Sequence, residues 1–157
     1  MKPTLNHDPH RRAVLACAAS LAVVVGTAGA PPRAVAADVT VYKSPTCGCC
    51  GAWVDHLRES GFSVVVKEQD DLAPVKALLE IPYELQSCHT STVGGYVIEG
   101  HVPAGDIRWL LAEQPRGIGL AVPGMPVGSP GMEQGDERER FQVLLFDAQG
   151  AEVFNAY

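Results

Sequence analysis

The first half of the chain alternates between strand-like and helix-like patterns of apolar residues. Residues 39–43 and 62–67 are short runs rich in β-branched side chains, which predict strands. Between them, apolar residues recur at helical spacing. The spacing predicts a helix that begins near Cys49 or Cys50 and ends at Gly61.

The pattern continues with a second helix and more strands. This helix opens at residues 70–71, and Pro in its first turn fits a helix start. Its inward-facing apolar side chains are predicted to be Val75, Leu78 and Leu79. Residues 96–102 predict two short strands around Glu99 and Gly100, and residues 106–113 predict a further helix.

The remaining chain divides into a loop and a hairpin. Residues 115–135 are rich in Pro and Gly, show no periodicity and contain the repeated tripeptide Pro-Gly-Met at 123–125 and 130–132. Residues 141–147 and 152–157 predict a β-hairpin. The order of elements predicts an α/β, thioredoxin-like fold with a long Pro/Gly-rich loop and a C-terminal β-hairpin.

The N-terminal segment has the pattern of an export signal. Arg11 and Arg12 precede the apolar run 13–30, and Ala-Val-Ala at 34–36 offers a cleavage site. We therefore expect residues 1–36 to be a signal peptide and residues 37–157 to be the mature domain. The paired arginines suit a twin-arginine signal, which leaves the export route open. The competing interpretation is an uncleaved membrane anchor.

Charge narrows the function of the mature domain. Of the 157 residues, those after 36 carry 8 Lys and Arg against 17 Asp and Glu, a net charge of −9. Such a domain is repelled by phosphate backbones and by anionic lipid, so we expect neither nucleic-acid binding nor stable membrane association after cleavage. Metal cations fit the sign of the charge.

Four cysteines remain once Cys17 leaves with the signal: Cys47, Cys49, Cys50 and Cys88. In an exported protein an even number first suggests two structural disulfides. The Cys-Gly-Cys-Cys run contains a C-x-x-C pair, which suits redox exchange at a helix start. The additional Cys49 is awkward for a redox pair, but it lets three thiolates converge on a soft metal ion.

Further soft donors follow the cysteines. Cys88 and His89 precede the predicted strand pair that, in a thioredoxin-like fold, lies beside the first cysteine motif. Four thiolates suit zinc, an iron–sulfur cluster or Cu(I), and the close spacing favours Cu(I). Met125 and Met132 carry thioethers, which bind Cu(I) and are poor zinc ligands. Packing is the alternative role for these methionines, and His101 is left open as a ligand.

These motifs carry a family resemblance. Residues 41–132 resemble the CopG family of periplasmic copper-resistance proteins, through YKSPTCGCC at 42–50, SCHT at 87–90, GYVIEGHVP at 95–103 and the two Pro-Gly-Met segments. The resemblance implies a thioredoxin-like fold and copper bound by the C-x-C-C cysteines and the later cysteine. It also implies a periplasmic location and copper-export or copper-chaperone partners.

Two functions remain in competition. The first is a copper-binding protein that holds Cu(I) in a thiolate cluster, with several ions, and that cycles copper between oxidation states. The second is a thiol–disulfide oxidoreductase. Thioredoxins place a cis-proline before their third strand, and aligning residues 92–94 with that segment puts Gly94 at the proline's position. Without the proline ring, space for an ion remains beside the thiolates, which favours the copper-binding function over the oxidoreductase.

Overall fold

The protein's structure is a computed structural model that describes residues 38–157. The predicted signal peptide, 1–36, and Cys17 lie outside the described residues. Seven strands and three α-helices follow one another, with a 3₁₀ turn at Tyr83–Leu85: β1 (Asp38–Lys43), α1 (Gly48–Glu59), β2 (Ser63–Glu68), α2 (Ala73–Leu78), β3 (His89–Val93), β4 (Tyr96–Glu99), α3 (Ala104–Glu113), β5 (Gly119–Ala121), β6 (Gln142–Asp147) and β7 (Gly150–Ala156). The α/β class predicted from the sequence is confirmed.

All seven strands form one mixed sheet in the order β2-β1-β3-β4-β5-β6-β7. β1 pairs in parallel with β2, and β4 pairs in parallel with β5. The other neighbours are antiparallel, including the predicted C-terminal hairpin of β6 and β7. Because His89 pairs with Lys43, the start of β3 lies beside the end of β1, where the cysteine motif follows.

Helices cover both faces of the sheet. On one face, Val41 and Ile98 pack in a core with Trp53 of α1 and with Ile107 and Leu110 of α3. On the other face, a smaller cluster lies near α2 and the 3₁₀ turn, formed by Ile81, Leu85, Val97, Ala121 and Phe146. Side chains alternate between the faces along each strand, so neighbouring residues of β3 and β4 serve different layers.

The inward face of α2 differs from the sequence-based prediction. Leu78 was expected inside, but 79% of its surface is exposed, and Val75 and Leu79 are only half-buried. Lys76 is the buried residue of this helix, with 6% exposed. Apolar spacing could not reveal this, because the partner of the Lys76 ammonium, Glu99, lies on a distant strand.

The hairpin next to the cysteines also differs from the prediction. Its strands are β3 and β4, joined at Gly94 and Gly95, rather than two strands around Glu99 and Gly100. Both turn glycines have positive φ, 56° and 88°, which two-residue hairpin turns require.

The proposed match of Gly94 to a cis-proline is therefore wrong. Gly94 lies at the end of β3 opposite to Cys88, and a Cβ there would lie 2.5 Å from Leu111 of α3. No cis peptide bond occurs in residues 38–157. The alignment was wrong because the sequence pattern did not reveal strand β3, which ends at Val93, directly before Gly94.

The Pro/Gly-rich segment 115–135 contains a strand that its lack of periodicity concealed. β5 inserts between β4 and β6, and its three residues are buried. Three residues are too few to show an alternating pattern. The chain after β5 is irregular and lies against the start of α1. A Cβ on Gly131 would lie 2.6 Å from the backbone nitrogen of Trp53.

Within residues 38–157, no helix combines the length and apolarity needed to cross a membrane.

Candidate metal centre

The first three cysteines lie where β1 passes into α1. The Cys47 amide donates to the Ser44 carbonyl (3.1 Å), which closes a tight turn, and Cys47 is the N-cap residue of α1. Gly48, Cys49 and Cys50 follow in the first helical turn. Anionic sulfur is stabilised there by the unpaired amides and the positive end of the helix dipole.

The four sulfurs form one group in the structure. Cys47 and Cys50 are joined by a disulfide, whereas Cys49 and Cys88 are free thiols. The Cys49 sulfur lies 3.5 Å from the Cys47 sulfur, and the Cys88 sulfur lies 3.5 Å from the Cys50 sulfur. All four lie within 4.8 Å of one another. The structure thus brings together the four cysteines that the sequence singled out.

The sheet register accounts for the position of Cys88. Cys88 directly precedes β3, and the pairing of His89 with Lys43 places it across from the turn that carries the cysteine motif. No sequence-local signal connects residues 47–50 with residue 88. The antiparallel pairing of β1 with β3 makes them neighbours.

Two imidazoles approach Cys88 from the buried side. The Cys88 sulfur lies 3.3 Å from Nδ1 of His89 and 3.2 Å from Nε2 of His101. Nδ1 of His101 donates to the Pro130 carbonyl (2.8 Å), so its Nε2 keeps a lone pair toward the sulfur. His101 was left open by the sequence, and the structure places it in this group.

Burial favours the neutral form of both imidazoles. Burial lowers the pKa of His89 well below its usual value, and the nearby His101 and Lys76 lower it further. Burial also lowers the pKa of His101. Neutral imidazole is the form that binds metal ions. Nε2 of His89 is buried without a hydrogen-bond partner, and its ring lies 4.4 Å from that of Trp53.

Burial favours the protonated form of the Cys88 thiol. Burial, followed by the proximity of Cys49, raises its pKa to about 12. A bound soft cation reverses this effect, because it supplies the positive charge that a buried thiolate lacks. The site therefore suits a cation that displaces protons.

The methionines of the two Pro-Gly-Met segments border the open side of the cysteines. Met125, Met132, Cys49 and Gly131 line a cavity of about 530 Å³ above the first turn of α1. Met125 is 51% exposed, and Met132 is half-buried. The structure thus places the thioethers beside Cys49, whereas the imidazoles lie beside Cys88.

The donor set fits Cu(I) better than a hard cation. Within residues 38–157 the ligand atoms gathered here are sulfurs and imidazole nitrogens, and soft donors of this kind select Cu(I) and zinc over Mg²⁺ or Ca²⁺. Cys47, Cys49 and Cys50 lie at one turn, so their sulfurs are close enough for one sulfur to bind two ions.

Sequence reasoning missed other polar groups near the site. Nε2 of His56, a residue of α1, accepts the Ala104 amide (3.2 Å) at the start of α3. The buried pair of Lys76 and Glu99 was not expected. The only signal for this pair in the sequence was the run Glu99, Gly100 and His101, in which an acidic residue ends an apolar strand pattern.

Comparisons with known proteins converge on one family. A family model described as a protein of unknown function, DUF411, matches residues 85–132. No curated protein sequence matches the chain significantly.

Two solved structures extend the match to nearly all of the described chain. Both are of a copper resistance protein, CopG, in two forms. Form 2 has 44% identity and a TM-score of 0.73, covering 77% of this chain and 98% of its own. Form 1 has 45% identity and the same TM-score, covering 76% and 96%. At this identity over almost the whole relative, the chain belongs to the CopG family of copper-resistance proteins.

Proposed function

We propose that the protein is an exported, periplasmic copper-binding protein that holds Cu(I) in a thiolate cluster of Cys47, Cys49, Cys50 and Cys88. The observation that carries the proposal is the approach of four sulfurs to within 4.8 Å of one another, from two segments of the chain. Reduction of the Cys47–Cys50 disulfide makes all four available as ligands. The solved relatives are copper resistance proteins by name.

Charge favours more than one ion per site. Four thiolates around a single Cu(I) carry a net charge of about −3, which is costly in a partly buried site. The N-terminus of α1 offsets only part of this charge. Several Cu(I) ions bridged by the same sulfurs neutralise it, so we propose a multinuclear cluster.

The remaining ligands divide by position. His89 and His101 close the cluster on the buried side, where each lies within 3.3 Å of the Cys88 sulfur. Met125 and Met132 serve the open side, where thioethers bind Cu(I) more weakly than thiolates and therefore suit capture and release. This division supports entry of copper beside Cys49.

The scaffold that we propose is thioredoxin-like. The order strand–helix–strand–helix–strand–strand–helix and the strand order β2-β1-β3-β4 support it. β5 and the C-terminal hairpin extend this sheet at the β4 edge. In this scaffold the residue that precedes β3 faces the cysteine motif, and here that residue is Cys88.

The disulfide supports a redox role for the same site. Oxidation of the Cys47 and Cys50 thiols to one disulfide releases two protons and two electrons, and the two electrons can reduce two Cu(II) ions to Cu(I). The reverse reaction consumes the disulfide, two Cu(I) ions and two protons. We propose that copper changes oxidation state here and then passes to periplasmic copper-export or copper-chaperone proteins.

A thiol–disulfide oxidoreductase is the second candidate. The observation that favours it is the Cys47–Cys50 disulfide itself, at the N-terminus of α1, the position in which a thiolate is activated. Such an enzyme has no use for two further sulfurs at 3.5 Å from its pair, since these thiols compete for the disulfide. Copper binding accounts for all four.

Metal analysis and competition test the proposal. Protein purified anaerobically from the periplasm should contain more than one copper per chain, and the reduced protein should retain Cu(I) against a Cu(I) chelator in the presence of equimolar Zn(II). Displacement of copper by equimolar zinc would show that the site is not a copper site. Insulin reduction at a rate typical of thioredoxins, without bound copper, would favour the oxidoreductase.

A further inference from the structure

A buried ion pair lies under the metal centre, on the opposite face of the sheet. The Lys76 ammonium donates to Oε1 of Glu99 (2.5 Å) and to the Thr90 hydroxyl (2.8 Å). The Thr90 hydroxyl in turn donates to Oε2 of Glu99 (2.6 Å). The side chains of Lys76 and Glu99 are 8% and 0% exposed.

Stability alone is a weak reason for such a pair. Removing two charges from water costs several kcal/mol per ion, and apolar residues of similar size often serve a core as well or better. The apolar cluster on this face of the sheet, which includes Ile81, Leu85, Val97 and Phe146, could accommodate apolar residues in place of the ion pair. The pair therefore calls for a role beyond filling the layer.

One further hydrogen bond suggests that role. Oε1 of Glu99 also accepts the backbone amide of Ser87 at 2.6 Å. Ser87 immediately precedes Cys88, and neither belongs to a strand, because β3 begins at His89. The ladder of β3 thus holds the chain only after Cys88. Before it, the Glu99 carboxylate anchors the main chain, and the Ser87 hydroxyl contacts the Gly124 carbonyl.

The geometry around Cys88 leaves little tolerance. Its sulfur lies 3.2 to 3.5 Å from three partners: Cys50 of α1, His89 at the start of β3, and His101 in the connection between β4 and α3. A small shift of the segment before β3 removes this sulfur from the cluster. Groups that orient metal ligands from behind commonly control affinity in this way.

We propose that Glu99, oriented by Lys76 and Thr90, is the positioning residue of Cys88. Its carboxylate fixes the Ser87 amide and thereby holds the Cys88 sulfur beside Cys50 and the two imidazoles. Lys76 couples this anchor to α2 on the far face of the sheet. The inference rests on the proposed copper function for its purpose, but its structural content concerns Cys88 alone.

Two double variants separate positioning from charge pairing. Lys76→Met with Glu99→Gln removes both charges and keeps a side-chain oxygen that can accept the Ser87 amide. Lys76→Met with Glu99→Leu removes both charges and the acceptor. The two proteins differ at one side chain of similar size, so a difference between them reports the acceptor. Urea unfolding of both verifies that each is folded under the assay conditions.

The first measurement needs no copper. In the oxidised protein, with the Cys47–Cys50 disulfide intact, Cys49 and Cys88 are the thiols of the described chain that iodoacetamide can label, and Cys49 serves as the internal reference. We expect the ratio of Cys88 to Cys49 labelling, measured by peptide mass spectrometry, to match wild type in the Gln variant and to rise in the Leu variant. Equal ratios in all three proteins would refute the anchor.

The second measurement uses Cu(I) with a competing chelator. The Leu variant should bind Cu(I) about 10- to 100-fold more weakly than wild type, and the Gln variant should stay close to wild type. Equal affinities of the two variants overturn the inference, whereas absence of Cu(I) binding by wild type overturns the proposed function and leaves the labelling result standing. If the Leu variant does not fold, Lys76→Met with Glu99→Met replaces it in the labelling measurement.

Discussion

At the scale of single residues, the candidate donors differ in exposure and in what positions them. Cys49 and Met125 lie on the open side, Cys50 is fully buried, and Cys88 is half-buried beside two buried imidazoles. The start of α1 positions the first three cysteines, whereas the pairing of β3 with β1 positions Cys88. Removing donors one at a time should therefore affect capture and retention differently.

Cys49 distinguishes a cluster from a redox pair. We expect Cys49→Ser to lower the copper-to-protein ratio, because a bridging sulfur 3.5 Å from Cys47 is lost. The Cys47–Cys50 disulfide should still form, since neither partner changes. Elemental analysis and thiol counting measure the two effects on one sample. Unchanged copper content would remove the support for a cluster.

The methionines should affect exchange more than folding. Met125→Leu with Met132→Leu conserves volume and apolarity and removes only the thioether sulfurs, so the free energy of unfolding should change by less than about 1.5 kcal/mol. Copper should be lost faster to a chelator or taken up more slowly. Stopped-flow transfer kinetics measure both rates, and identical rates would assign both methionines to packing.

At the scale of elements, the Pro-Gly-Met segments are held against α1 by close backbone approach. Gly131 has φ 82°, and a Cβ there would lie 2.6 Å from the Trp53 nitrogen and 2.9 Å from the Cys49 carbonyl. Gly124 occupies the same place in the other Pro-Gly-Met tripeptide, with φ 71°, but has no atom within 4 Å of a Cβ. A residue with a Cβ would be strained at either position, because both have positive φ. Only at Gly131 would the Cβ also collide with another segment.

This matched pair gives a test of loop docking. Gly124→Ala should cost about 1–2 kcal/mol through positive φ alone. Gly131→Ala should cost more and should raise the alkylation rate of Cys49, because the loop must move away from the start of α1. Urea unfolding and mass spectrometry give the two quantities. Equal effects of the two substitutions would contradict a docked loop.

The start of α3 depends on a histidine of α1. Nε2 of His56 accepts the Ala104 amide at 3.2 Å, which requires a neutral ring. Burial lowers the pKa of His56 from its usual 6.5, although Glu133 and Glu59 oppose the shift. The unfolded chain therefore binds more protons than the native protein as the pH falls below about 6.5, and stability is lost there.

We accordingly expect the free energy of unfolding to fall between pH 7.5 and pH 5.5, and to fall less in His56→Gln. Glutamine supplies an oxygen for the Ala104 amide and does not titrate. His89 and His101, whose pKa values are also lowered, contribute the same sign in both proteins and cancel in the comparison. Urea unfolding at both pH values measures the difference, and parallel slopes would contradict the assignment.

At the scale of the whole molecule, the candidate metal centre joins parts of the chain that are far apart in sequence. Cys47–Cys50 follow β1, Cys88 precedes β3, and His101 follows β4. A ligand bound to all of them stabilises the native state and not the unfolded chain. The described domain also keeps a second, apolar layer on the far face, so its fold does not depend on the metal alone.

Copper should thus raise the stability of the reduced protein. At free Cu(I) about 100 times the dissociation constant, the expected gain is about 2.7 kcal/mol for one site, and more for several. Differential scanning calorimetry of the reduced protein measures it, with Cys88→Ala as the control that should gain less. A melting temperature unaffected by Cu(I) would show that the ion binds no better to the folded chain.

Local patterns were sufficient to predict the chemistry that we propose for this protein. The C-x-C-C run, the later Cys-His pair and the Pro-Gly-Met repeat predicted a soft-metal site from residues close in sequence, because donor identity and spacing on one helical turn are local properties. The first strand, α1, α3 and the C-terminal hairpin followed equally from period and turn residues. These predictions needed no knowledge of distant contacts.

Long-range pairing decided the rest. His101 lies at the site because it follows β4, which pairs with β3, and Lys76 of α2 is buried because its ammonium pairs with the Glu99 carboxylate of β4. The three-residue strand β5 exists because β4 and β6 supply its hydrogen bonds on both sides. In each case the deciding partner lies many residues away, and a sequence pattern records only neighbours. The candidate donors could therefore be named from the sequence, whereas their arrangement depended on which strands pair.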